Sequence, residues 1–108
     1  MRILFIGDVV GKNGTQFLCQ KLPPLRRTME PDLVVVNGEN AAEGNGILPG
    51  TADEIFSAGA GVITLGNHAL RRREIFDYLD REEAIIRPAN FHPDAPGRGW
   101  TVYDRPGL

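Results

Sequence analysis

Five residues in this chain have side chains that could do chemistry together: Asp8, Glu39, Asn40, Asn67 and His68. They close three similar stretches, "ILFIGD" (3–8), "LVVVNGEN" (33–40) and "ITLGNH" (63–68), each an apolar run that stops at a glycine and then turns polar. Carboxylate and amide oxygens are hard donors, suited to manganese, magnesium or ferrous iron more than to a soft metal. An imidazole beside them can act as a general acid or stabilise charge next to a metal-bound substrate. Together the set suits a two-metal hydrolase, in which paired cations activate water and neutralise a phosphate. Taken singly, Asp and Asn are common turn formers after strands, and a histidine can cap the next helix. Three such endings in one short chain favour a shared site.

The elements that must position these residues are legible from hydrophobic pattern. Residues 1–7, 33–36 and 62–65 read as strands, the first two suited to burial on both faces. From about Gly14 a helix is expected, with Leu18, Leu22, Leu25 and Met29 at helical spacing. Pro23 and Pro24 inside that pattern predict a kink or two short helices. "TADE" (51–54) fits a capping box with Thr51 as N-cap and Glu54 reaching back, in a helix ending near Gly59. A third helix is expected over 72–80, a fourth strand over 84–87, and a last strand over 100–103. Alternating strands and helices define an α/β fold of parallel βαβ units. Right-handed crossovers then bring all C-terminal strand ends, and with them the five residues, to one edge of the sheet. Gly7, Gly38 and Gly66 are read as giving the backbone room to turn and to approach a ligand.

Composition narrows the partners. The 108 residues carry 12 basic and 14 acidic side chains, a formal charge of −2, which offers no extended surface for nucleic acid or membrane. Cys19 is the single cysteine, so neither an intrachain disulfide nor a cysteine zinc site can form, and it reads as a small buried residue on a helix. The apolar start "MRILFIGD" is too short for a signal peptide or a membrane span, so a cytoplasmic location is expected. "GDVVGKNG" (7–14) is one residue short of a P-loop and has Asn13 where Ser or Thr is required. Its glycines also miss the dinucleotide-binding spacing. Arg71, Arg72 and Arg73 read as a solvated helix face with Arg73 pairing Asp77, and His92 in "NFHPD" reads as a surface residue.

The segments "GDVVG" (7–11), "NGENAAEGNGI" (37–47), "LGNHAL" (65–70) and "RPANF" (87–91) resemble the YmdB-type branch of the calcineurin-like metallophosphoesterases. The resemblance runs from residue 1 to about residue 100, in the family's order. It implies that residues 1–108 are the N-terminal portion of a single metallophosphoesterase domain, one half of a layered α/β fold whose C-terminal half is absent. It also implies two divalent metal ions, iron or manganese foremost and magnesium as a further candidate, and a small phosphodiester or nucleotide substrate, notably a 2′,3′-cyclic nucleotide. By motif, Asp8 would ligate one metal with Asn40, Glu39 would bridge both, Asn67 would ligate the second, and His68 would be the catalytic histidine beside the phosphate. The chain departs from the family at Leu70, where many relatives carry an aromatic residue, and it stops before the histidines that a second half supplies. The 108 residues alone are therefore expected to be inactive, to bind metals poorly, and to self-associate through an unpaired sheet edge. A second reading, a non-catalytic nucleotide- or phosphate-binding regulatory module, differs in one measurable way: its binding would not depend on metal.

Overall fold

Leu33, Val34, Val35 and Val36 have the aliphatic, mostly β-branched side chains that fit a pleated surface, and they make one of the two inner strands of the sheet. A computed structural model of the chain describes residues 1–104. Its elements are β1 (Ile3–Ile6), α1 (Gly11–Met29), β2 (Leu33–Asn37), α2 (Pro49–Ala58), β3 (Val62–Thr64), a short 3₁₀ turn (Arg73–Ile75), α3 (Phe76–Arg81) and β4 (Ile85–Ile86). The four strands form one sheet in the order β1-β2-β3-β4, all parallel, with Phe5 opposite Val35, Val36 opposite Ile63 and Ile63 opposite Ile85. The expected α/β architecture is therefore present. Strand order follows chain order without reversal, so crossovers of one hand all fall on the same side of the sheet.

That one-sidedness corrects the expectation that β1 and β2 are buried on both faces. Val34, Val36, Ile63 and Ile85 point to the helices and join a core with Leu18 and Leu22 of α1, Ala52 and Ile55 of α2, and Leu79 of α3. On the other face Ile3 is 54% and Phe5 61% exposed. Burial along β1 and β2 accordingly alternates with the pleat.

Other boundaries differ from the sequence reading for local reasons. α1 is a single helix, with Pro23 and Pro24 inside it. The prolines remove two amide donors, but Leu18 and Leu22 anchor the preceding turns in the core. Beyond the prolines the apolar stripe leaves the core, and Leu25 is 38% exposed. α2 starts two residues before Thr51, with Pro49 in its first turn and no side-chain cap. Proline's fixed φ suits that position, so no capping box forms. Gly59, at φ +127°, ends α2 where expected. The third helix begins as a 3₁₀ turn, and β4 keeps only two residues. Residues 100–103 are not a strand; Tyr103 instead packs over Gly61, where a Cβ would sit 2.9 Å from its ring. Among the described residues no helix is long and apolar enough to cross a membrane.

Candidate functional site

The C-terminal ends of β1, β2 and β3 deliver three loops to one sheet edge. After β1, the chain turns through Asp8, whose φ of +48° is a left-handed conformation that Asp tolerates better than most residues. The turn lays this loop against the one after β2: Val9 N–H donates to the Asn37 carbonyl at 3.2 Å, and Gly11 N–H to the Asn40 carbonyl at 2.9 Å. Gly38 N–H donates to the Thr64 carbonyl at 2.9 Å, which carries β2 pairing out to the site. A Cβ on Gly38 would come within 3.1 Å of Ile47 and 3.2 Å of Ile63, so any larger residue here would have to push these two core side chains back by a few tenths of an ångström.

The side chains then meet in a chain of hydrogen bonds. Asn40 Nδ2 donates to Asp8 Oδ1 at 3.0 Å, and Asn40 Oδ1 lies 2.5 Å from His68 Nδ1. A carboxylate only accepts, so the Asn40 amino group faces Asp8 and its oxygen faces the imidazole. That oxygen also only accepts, so Nδ1 carries the proton and Nε2 is left as the atom that can take or deliver one. Glu39 braces the same histidine: His68 N–H donates to Oε2 at 3.2 Å, and Nδ1 is 3.8 Å from that oxygen. The other carboxylate oxygen, Oε1, accepts from Asn37 Nδ2 at 3.4 Å.

Four of the five residues singled out from sequence, Asp8, Glu39, Asn40 and His68, are thus joined directly. Asn67 is exposed on the adjoining turn, with no side-chain hydrogen bond among the described residues. Gly66 makes room for a protein group rather than a ligand, since a Cβ there would fall 2.2 Å from Glu39 Oε1, while Gly7 faces open space. Cys19 is half-buried, and burial, followed by the Glu54 carboxylate, pushes its thiol pKa up and away from the reactive thiolate. His92 is on the surface. The expected Arg73–Asp77 pair is absent among the described ion pairs. Arg72 is not solvated as expected: it donates to the carbonyls of Glu43 and Asn45.

Three participants were not visible beforehand. Asn37 supports Glu39, Glu43 Oε1 accepts Lys12 N–H at 3.3 Å, and Arg72 grips the loop after β2. Only Asn37 left a signal, as a polar residue closing a strand of valines. Two carboxylates and two amide oxygens form a hard donor set that fits a divalent cation. Among the described residues no group of three or more His, Cys, Asp or Glu could by itself hold a metal ion.

Comparison with known proteins gives the arrangement a family. The chain is 44% identical over 101 residues to the 2′,3′-cyclic-nucleotide 2′-phosphodiesterase of Bacillus subtilis, matching 94% of this chain and 38% of that protein. In structure it is similar to a hypothetical protein from Thermus thermophilus (TM-score 0.85, 40% identity, 92% of this chain and 38% of that one). It is also similar to a phosphatase from Mycoplasma pneumoniae (TM-score 0.83, 30% identity, 92% and 37%). The chain therefore spans less than two-fifths of the length of each of these three proteins. Residues 4–107 match the family described as YmdB-like protein, and the chain belongs to that family.

Proposed function

We propose that this chain carries part of the active site of a metal-dependent phosphodiesterase acting on 2′,3′-cyclic nucleotides. The observation that supports this best is the hydrogen-bonded series Asp8–Asn40–His68–Glu39, assembled from three strand ends in a chain so similar to the Bacillus enzyme. In this reading Asp8 and Asn40 would hold one divalent cation, Glu39 would serve both ions, and Asn67 would contribute to the second from its exposed turn. When bound, iron, manganese or magnesium supplies charge neutralisation at the phosphate and activation of water. His68 would work at Nε2: with Nδ1–H held by Asn40, a ring protonated at both nitrogens gives its Nε2 proton to the leaving oxygen and is left neutral with its proton on Nδ1, or the ring stabilises the charge on that oxygen. Asn40 thereby serves both as ligand and as the group that orients the histidine. The open sheet face at Ile3 and Phe5, together with the length of the relatives, supports reading this sheet as the N-terminal portion of a larger single domain.

The test needs the relatives' full length, for which residues 1–108 can be joined to the C-terminal part of the Bacillus protein. With manganese this chimera is expected to hydrolyse 2′,3′-cyclic AMP, and His68→Ala is expected to lower kcat about 10²–10⁴-fold. Unchanged turnover in His68→Ala contradicts the assigned role. Nucleotide binding without metal and without turnover would instead support a regulatory module.

A further inference from the structure

Arg72 stands four residues after His68, on the loop that follows β3, and two of its guanidinium nitrogens bond the neighbouring loop. Nε donates to the Asn45 carbonyl at 3.0 Å, and Nη2 donates to the Glu43 carbonyl. No carboxylate pairs with it among the described ion pairs, so the charge is met by carbonyl dipoles. Gly46, at φ +76°, leaves room for the stem: a Cβ there would lie 2.8 Å from Arg72 Cγ. The gripped segment reaches onward, since Glu43 Oε1 accepts Lys12 N–H in the first turn of α1, where a helix N-terminus favours an anion. Arg72, Glu43 and Lys12 therefore tie together the same three loops that Asp8, Asn40 and His68 join on the inside.

We propose that Arg72 is a positioning residue: its planar fork fixes the loop after β2 against the turn after β3, and so keeps Glu39 and Asn40 aligned with His68. What the aligned site does rests on the reading above, but the alignment itself is measurable without substrate or metal. Two donors on one rigid edge match two carbonyls of one loop. Lysine does not replace them, because its compact ammonium is strongly hydrated and lacks the fork.

The test is backbone amide hydrogen exchange on the 108-residue chain. Arg72→Met keeps the stem that packs beside Gly46 and removes only the fork, while Arg73→Met is the control. In Arg72→Met and Arg72→Lys, exchange at Ala42, which donates to the Gly46 carbonyl, and at His68, which donates to Glu39, is expected to speed up about tenfold or more. Ile63 and Leu65, inside the sheet, should keep their protection, and Arg73→Met should change none of these sites. In Arg72→Ala, added ethylguanidinium is expected to slow Ala42 and His68 again, and ethylammonium is not. Native protection at Ala42 and His68 in Arg72→Met would overturn the assignment. So would equal acceleration of every amide, or full protection in Arg72→Lys. Because no turnover enters the readout, the outcome is independent of whether the hydrolase reading holds.

Discussion

His68 is held at both its backbone and its ring by Glu39 and Asn40 of the loop after β2, and Asn40 is held in turn by Asp8 of the loop after β1. The Asp8–Asn40 contact decides which way the Asn40 amide points, and that in turn decides which imidazole nitrogen holds the proton. Glu39 takes the backbone N–H, and it can do so because Gly66 has no side chain in the way. Gly66→Ala is therefore expected to push the Glu39 carboxylate off His68 and to cost about 1–3 kcal/mol of stability. Thermal unfolding, together with amide exchange at His68, measures both effects; native exchange at His68 in this variant would contradict the packing described. That Asp8, Glu39, Asn40 and His68 meet at one sheet edge was legible because each follows an apolar run and a glycine, whereas Asn67, singled out on the same pattern, stays exposed on its turn. Asn40's contact with the His68 ring was not, since the direction of an amide depends on which loops meet. Arg72 was misread for a related reason: three consecutive arginines look like a solvated face until one finds two carbonyls from a loop 27 residues earlier.

At the scale of elements, the strands were legible because their side chains are aliphatic, and the helices were legible where their apolar spacing faces the core. Boundaries failed where a local feature competed, as Pro49 did with the Thr51 cap and as core packing did with Pro23 and Pro24. One contact between helices makes a pH-dependent expectation. Tyr78 on α3 donates its hydroxyl to Asp53 on α2 at 2.8 Å. Burial, and then this bond to the Asp53 carboxylate, push the Tyr78 phenol well above its ordinary value. The folded chain thus keeps the phenol proton to higher pH than the unfolded chain, whose phenol titrates near about 10. Stability from this contact is complete below that pH and declines as pH rises above it, because the unfolded state releases the proton first. Tyr78→Phe is expected to lose about 1 kcal/mol at neutral pH and to remove its share of the alkaline decline. Urea unfolding at pH 7 and above pH 10 checks this, and an identical alkaline slope in the variant would contradict it.

For the whole molecule, the consequence of sequential strand order is an asymmetric sheet: helices on one side, and Ile3 and Phe5 open on the other. Among the described residues β1 is also an edge strand, its outer backbone groups without a strand partner, a combination that favours association. The 108-residue chain is expected to sediment in a concentration-dependent way, and Ile3→Lys with Phe5→Lys to shift it to monomer with little loss of stability. A monomeric parent at all concentrations would contradict that expectation. The burial of β1 on one face only was hidden from the sequence, because an apolar strand does not reveal which of its faces will find a partner. The central claim, that three strand ends form one side of a divalent-cation site, is tested most directly by titrating manganese into the labelled chain and following paramagnetic broadening by NMR. Asp8 and Glu39 bring two formal negative charges against the four positive charges of two cations, so affinity is expected to be weak. Resonances of Asp8, Glu39, Asn40, Asn67 and His68 are nevertheless expected to broaden first and together. Broadening that begins elsewhere, for example at Asp77, Asp80, Glu82 and Glu83, or that shows no preferred location, would contradict the claim.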